Sequence, residues 1–252
     1  MKSPETYVHV IMTPTIPDLL HRIELNVESL QKEIGGGSCV LPVGLFLVID
    51  EEHGGDPIAQ ELVKRSGLLG RESRTVIDFY YLGWTQHRDG AQFDLDQFTA
   101  WRDALRDVGV TRFDGNADLI LVDAETSSDG PVLRFDRSIR IDLSDAVHRG
   151  DIQSLGKFLA DLVTATEEAR AEAKEPSMEQ GIVFHVSDKL GLAYARESFL
   201  DYLFDRWGKV IGARRLARMA VRSSGPPVKL RDLRKVRAPL YPLRHGPWGN
   251  GI

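Results

Sequence analysis

The chain has 252 residues, of which 42% are hydrophobic and 27% are charged, a composition typical of globular proteins rather than of disordered or fibrous ones. No apolar run approaches the roughly 18–20 residues that a membrane helix needs, and the single cysteine, Cys39, excludes an internal disulfide and a cysteine-based zinc site. The first residues lack the apolar segment of a secretory signal, so we expect a cytoplasmic protein, and the Arg, Ala and Asp usage is typical of bacteria.

The net charge of −5 is distributed very unevenly along the chain. Residues 206–252 contain twelve Lys and Arg against one acid, Asp232, which gives +11. The first 205 residues contain 20 basic and 36 acidic residues, which gives −16. An acidic body is therefore followed by a strongly basic C-terminal segment.

Strands and helices are predicted to alternate through the first half of the chain. A helix with leucine and isoleucine at spacings of three and four opens near Asp18 and ends before Gly35, and Asp56 with Pro57 begins the next one as cap and first residue. A third helix places Phe98 and Trp101 on one face. The predicted strands are 7–13, 43–50, 75–82 and 118–123.

These strands are apolar throughout, which is typical of strands that are buried on both sides beneath helices. We therefore predict an α/β protein with a three-layer, mostly parallel, doubly wound sheet. Residues 132–143 alternate apolar and polar side chains, with Arg137 breaking the pattern, so they predict an antiparallel edge element made of a bulged strand or two short strands. A long helix follows at about 152–173.

Three regions are expected along the chain. Residues 1–180 form the α/β core domain, and residues 181–222 form a C-terminal segment packed on it, with a strand at 181–187 and helix from about 190 to 222. Residues 223–252 are rich in proline, glycine and basic side chains and predict an extended tail.

The strongest local candidate for a site is the run from Asp50 to Asp56, because open α/β sheets bind ligands at the carboxyl ends of their parallel strands. Its carboxylates with His53 suit a divalent cation such as magnesium, or one carboxylate acts as a general base while the glycines let backbone approach a phosphate. A solvated loop that favours the helix dipole is the third interpretation, and the cofactor stays undetermined. The candidate catalytic residues are Glu51, Glu52 and Asp123, and the candidate ligand-binding residues are Thr13, Thr15, His53, Gly54, Gly55 and Trp84.

Other polar residues in predicted elements are more simply explained by structure. His9, Asp78 and His185 lie within predicted strands and are expected to have partners there, and Asp94 is expected to cap a helix. The chain contains no phosphate-binding loop, dinucleotide fingerprint, nucleophile elbow or His-Glu-x-x-His motif.

The basic C-terminal segment has three competing explanations. It binds nucleic acid or another polyanion, it binds a partner protein, or it neutralises the acidic body of its own chain. Arg214, Arg218 and Arg222 form one stripe if 190–222 is helical, and aromatic residues interleave with the later cations. The candidate residues for this surface are Arg214, Arg215, Arg218, Arg222, Lys229, Arg231, Arg234, Lys235 and Arg237.

Two functions follow from these features. The first is an accessory or effector subunit whose body presents a crevice and whose basic C-terminal segment docks a polyanion or a partner protein. A membrane is not expected among its partners. The second is a nucleotide-handling enzyme, hydrolytic or glycosidic, with Glu51 or Glu52 as the acid-base residue and Trp84 as a stacking wall.

Overall fold

The computed structural model describes residues 10–13, 15–33, 40–73, 77–87, 90–107, 109, 117–173, 207–212, 214–215, 219–222 and 226–233. The described helices include α1 (Ile16–Glu33), α2 (Ile58–Ser73), α3 (Leu95–Asp107), α4 (Leu143–His148) and α5 (Leu155–Ala173), with a helical turn at Leu230–Leu233. The strands are β1 (Val10–Thr13), β2 (Val40–Leu47), β3 (Asp78–Leu82), β4 (Trp84–His87), β5 (Gly90–Phe93), β6 (Asp118–Glu125), β7 (Val132–Leu133), β8 (Ile139–Asp142), β9 (Ala220–Arg222) and β10 (Val228–Lys229). Short 3₁₀ turns lie at Glu51–His53 and Phe135–Arg137.

The main sheet is mixed. Strands β1, β3 and β2 lie side by side and run parallel, with β3 in the middle. Strand β6 pairs antiparallel with β2 along its whole length, and β7 and β8 each pair antiparallel with β6. The C-terminal strands complete the sheet, since β9 pairs with β8 and β10 pairs with β7. A separate two-stranded hairpin is formed by β4 and β5.

Helices cover both faces of this sheet. Alternate residues of β2 point to opposite sides, so Val40 and Phe46 join one cluster of buried side chains while Leu45 and Leu47 join the other. Helices α2, α4 and α5 contribute to the first cluster, and α1 and α3 contribute to the second. Helices α1 and α2 lie on opposite faces because their crossovers run in opposite directions across the sheet, which the right-handed crossover rule requires.

The α/β class is confirmed, but the predicted mostly parallel, three-layer, doubly wound sheet is not. Among the described strands of the main sheet, only β1, β3 and β2 are parallel, and β6 runs against β2 from Leu47 opposite Asp118 to Val40 opposite Glu125. Strand β6 is apolar because helices cover both of its faces. An antiparallel strand that is covered on both faces has the same apolar pattern as a parallel one. The hydrophobicity of a strand therefore does not indicate its direction.

The C-terminal part of the described chain packs on the body. Residues 207–211 are helical and bury Trp207, whereas Arg222 lies in strand β9 instead of the predicted helix. The prediction of an extended tail from residue 223 is corrected at 226–233, where β10 pairs with β7 and Val228, Leu230 and Leu233 are buried. The predicted strand at 181–187 and the residues after 233 lie outside the described residues.

Several local predictions are confirmed. Asp56 caps α2, since its carboxylate accepts the Ile58 amide at 2.9 Å, and Asp94 caps α3 by accepting the Gln97 amide at 3.0 Å. Asp78 is buried and its carboxylate accepts a hydrogen bond from the Asn26 side chain at 2.7 Å. His9 and His185 lie outside the described residues. Among the described helices, none is both long and apolar enough to cross a bilayer.

Two buried tryptophans differ in hydrogen bonding, and this difference predicts unequal losses of stability. The Trp84 indole donates to the Val48 carbonyl at 2.9 Å, whereas the indole N–H of fully buried Trp101 has no acceptor among the described residues. Trp84→Phe should cost about 1–2 kcal/mol more than Trp101→Phe, because it leaves a buried carbonyl without its donor. Urea unfolding of both variants measures the difference, and equal losses would contradict the contribution of this bond.

Candidate functional site

The predicted Asp50–Asp56 site is an exposed loop at the carboxyl end of β2. Asp50 accepts the amide of Glu51 and caps the 3₁₀ turn, and the side chains of Glu51 and Glu52 are exposed. Gly54 adopts φ of 84°, which favours glycine, and a side chain at Gly55 would collide with the backbone carbonyl of Ile49. Both glycines are therefore accounted for by the tight turn itself.

Neighbouring aromatic side chains fill the edge of the sheet where an open crevice was predicted. Trp84 is only 4% exposed and donates to the Val48 carbonyl, so it is a core residue and does not form an exposed stacking wall. The ring of Phe93 from β5 lies 5.2 Å from the Trp84 ring and 5.4 Å from the ring of His53. The hairpin of β4 and β5 thus packs over the carboxyl end of β2.

Asp123 lies at the other end of the sheet. Because β6 is antiparallel to β2, Asp123 is opposite Pro42, near the start of β2, while Asp118 is opposite Leu47 at its end. Asp123 is fully buried, whereas Glu51 and Glu52 are exposed. The structure therefore does not bring the three candidate catalytic residues together.

The two candidate threonines belong to the start of α1 and the end of β1. Thr15 precedes α1. Its hydroxyl donates a hydrogen bond to the Asp18 carboxylate at 2.5 Å and accepts one from the Asp18 amide at 3.3 Å. This reciprocal contact is the capping arrangement expected at a helix start. Thr13 ends β1 opposite Leu82, at the same edge of the sheet as Asp50.

The described side chains provide no ligand set for the magnesium ion that the sequence suggested. No group of three His, Cys, Asp or Glu residues in the described ranges is arranged to hold a metal ion. Asp50 instead caps the turn and lies 3.8 Å from the His53 ring nitrogen, and Asp56 caps α2. These residues do not fit a cation site.

The basic residues of the C-terminal segment occupy several different elements. Arg214 is exposed and Arg215 is half-buried, both in helical geometry, whereas Arg222 is in β9 and Arg231 is in the turn after β10. Lys229 forms an ion pair with Asp129 at 2.7 Å. The single basic stripe predicted on a helix is therefore corrected at Arg222. The candidates outside the described residues are Arg218, Arg234, Lys235 and Arg237.

A cavity of about 210 Å³ lies between the amino end of α5 and the C-terminal helical segment, by which we mean residues 207–212 and 214–215. It combines side chains that are separated by about fifty residues of sequence. Its apolar surface is formed by Ile152, Phe158, Val210 and Ile211. Its polar surface is formed by Asp151, Gln153, Ser154, Lys157, Asp161 and Arg215.

The charges around this cavity are only partly compensated. Lys157 pairs with Asp161 at 2.9 Å, and Arg149 pairs with Asp151 at 3.3 Å. Within the described part of the chain, neither Arg214 nor Arg215 forms an ion pair. The crevice therefore offers an apolar surface beside one cation, Arg215, that is available to a ligand.

Sequence reasoning identified Arg215 but missed the cavity. The amphipathic pattern at the start of α5 predicts a helix there. Ser154 caps this helix, since its hydroxyl accepts the Lys157 amide at 3.3 Å. Nothing in the sequence indicates that residues 210–215 return to this helix end. Comparison of the chain with protein-family models, curated proteins and solved structures finds no match.

Proposed function

We propose that this protein is a cytoplasmic accessory or effector subunit that binds a partner protein in the crevice between α5 and the C-terminal helical segment. One observation carries the proposal: the cavity is walled jointly by the α/β body and by the basic segment. Protein interfaces obtain most of their binding energy from a few side chains that insert into such pockets. A half-exposed valine, Val210, with 48% of its surface accessible, lies at its mouth.

The composition of the crevice favours a protein over a nucleic acid. Its surface includes apolar side chains, and two of the cations at or near it are already paired, Lys157 with Asp161 and Arg149 with Asp151. Lys229, another of the basic candidates, is already paired with Asp129. A polyanion would therefore find fewer available cations here than the charge of +11 suggests.

The nucleotide-handling enzyme receives less support from the geometry. Glu51 and Glu52 are exposed, Asp123 lies at the opposite end of the sheet, and Trp84 is buried. Turnover of a nucleotide by the protein would support the enzyme hypothesis if both Glu51→Gln and Glu52→Gln abolished that turnover without unfolding the chain.

The proposed docking site predicts that Val210→Asp weakens partner binding roughly tenfold or more, because a carboxylate replaces an apolar contact at the mouth of the crevice. The matched control is Leu25→Asp, since Leu25 on α1 is 50% exposed and lies on the other face of the sheet. Quantitative affinity capture from the cells that naturally produce the protein compares both variants with the native chain.

The expected result is a set of captured proteins that is lost with Val210→Asp and retained with Leu25→Asp. Equal capture by all three chains would contradict the docking site. In parallel, labelled single- and double-stranded DNA and RNA are titrated across a salt series. Binding of nucleic acid that weakens steeply with salt and is reduced by Arg214→Glu and Arg215→Glu would replace the partner protein by a polyanion.

A further inference from the structure

We infer that the crevice accepts one aromatic side chain of the partner protein with a carboxylate beside it. This inference rests on the proposed function and specifies the chemistry of its partner. Its first support is size. The cavity of about 210 Å³ exceeds the roughly 150 Å³ in which a benzene molecule binds. It is smaller than the pockets of about 300–1,000 Å³ that hold whole small molecules.

The apolar wall of the crevice is held in place by the core. The Phe158 ring is 5% exposed and packs against the Trp207 ring with their centroids 4.6 Å apart and their planes at 43°. Ile152 is also buried, so these groups cannot collapse into the cavity without disturbing the core. Ile152 and Phe158 therefore form the buried floor of the crevice, and an entering ring would contact the exposed Val210 and the half-buried Ile211 beside them.

The charges on the rim specify the second feature of the partner. Lys157 and Asp161 satisfy each other, and Asp151 is held by Arg149. Arg215 is half-buried at the cavity, and no acidic residue in the described ranges pairs with it or with the neighbouring Arg214. A guanidinium binds a carboxylate with two parallel hydrogen bonds, so an acidic group beside the aromatic residue complements this rim.

The test uses three small probes on the full chain and follows the methyl signals of Ile152, Val210 and Ile211 by NMR. The probe 3-phenylpropionate carries a ring and a carboxylate, 3-phenylpropylamine carries the same ring with the opposite charge, and propionate lacks the ring. We expect 3-phenylpropionate to shift these methyl signals and to bind at least fivefold more tightly than the amine. Propionate should leave them unchanged.

Variants at Arg215 separate the charge from the shape of the crevice. Arg215→Glu should reverse the order of the two aromatic probes, and Arg215→Gln should bring their affinities within about twofold of each other. Unchanged thermal unfolding of both variants shows that the fold is retained. Equal binding of the two aromatic probes to the native chain, or shifts confined to methyl groups elsewhere, would overturn the inference.

Failure of this inference can be told apart from failure of the docking function. If Val210→Asp abolishes partner capture while the aromatic probes do not bind and Arg215→Glu has no effect on capture, the crevice docks a partner of different chemistry. If Val210→Asp leaves partner capture unchanged, the docking function and the inference both fall.

Discussion

The free energy of unfolding should fall by roughly 2.7 kcal/mol per pH unit above about pH 10, because two buried tyrosines remain protonated in the folded chain. Burial raises the pKa of Tyr80 and of Tyr81 well above that of an exposed tyrosine, and the neighbouring Asp78 carboxylate raises the pKa of Tyr80 further. The unfolded chain loses these two protons near its ordinary tyrosine pKa of about 10, whereas the folded chain keeps them.

The sign follows from proton binding. Above about pH 10 the unfolded state binds fewer protons than the folded state, so each rise in pH favours unfolding. Below that pH, both states bind them equally and these two groups do not change the stability. Chemical unfolding from pH 8 to 11.5 measures the slope.

The matched control is the chain carrying both Tyr80→Phe and Tyr81→Phe, which keeps every lysine. Its slope should lack the two-proton contribution, although the Tyr81 hydroxyl that donates to the Leu62 carbonyl at 3.0 Å is lost. Absorbance of tyrosinate in the native chain and in the double variant should also show that Tyr80 and Tyr81 ionise only on unfolding. If all six ionised near pH 10 in the folded chain, the buried placement of these rings would be refuted.

Gly83→Ala should destabilise the protein by about 2–4 kcal/mol. Gly83 joins β3 to the β4–β5 hairpin with φ of 79°, and a side-chain carbon there would lie 2.6 Å from Cβ and 2.9 Å from Cα of Phe98. The alanine therefore incurs the cost of a left-handed backbone and must also displace the start of α3. The Asp94 amide donates to the Gly83 carbonyl at 2.8 Å, so the displacement also strains the turn that joins these elements.

Gly54→Ala separates the two costs. Gly54 has φ of 84°, nearly the same as Gly83, but no atom lies within 4 Å of the position of an added side-chain carbon. This variant should lose only about 1 kcal/mol, from backbone strain alone. Equal losses for the two variants in urea unfolding would show that the contact between Gly83 and Phe98 does not constrain the fold.

Local features of the fold were largely predictable because they depend on short-range chemistry. Hydrogen-bonding side chains predict the helix caps at Asp56 and Asp94. Side-chain periodicity predicts the break at Arg137, where a 3₁₀ turn separates β7 from β8. The direction of β6 did not follow, because a strand covered on both faces has the same apolar pattern in either direction. The hairpin after Gly83 was missed because its strands have only four residues each.

The site was less predictable than the fold. The polar loop after β2 was identified correctly as a loop at the carboxyl end of a parallel strand, but the predicted crevice there depended on β6 being parallel. The antiparallel β6 places Asp123 at the other end, and the hairpin packs Trp84 and Phe93 at the predicted opening. The cavity beside Arg215 depends on a long-range return of the chain to α5, which no local pattern encodes.

Site-specific photo-cross-linking tests the docking crevice most directly. A photoreactive benzoylphenylalanine replaces Gln153, which is exposed on the rim of the cavity, and the control chain carries it at Leu25 on the opposite face. In the cells that naturally produce the protein, we expect position 153 to cross-link a partner protein, position 25 not to do so, and Val210→Asp to remove the cross-link. Cross-links from position 153 that stay within the chain itself, or that join nucleic acid, would contradict the account.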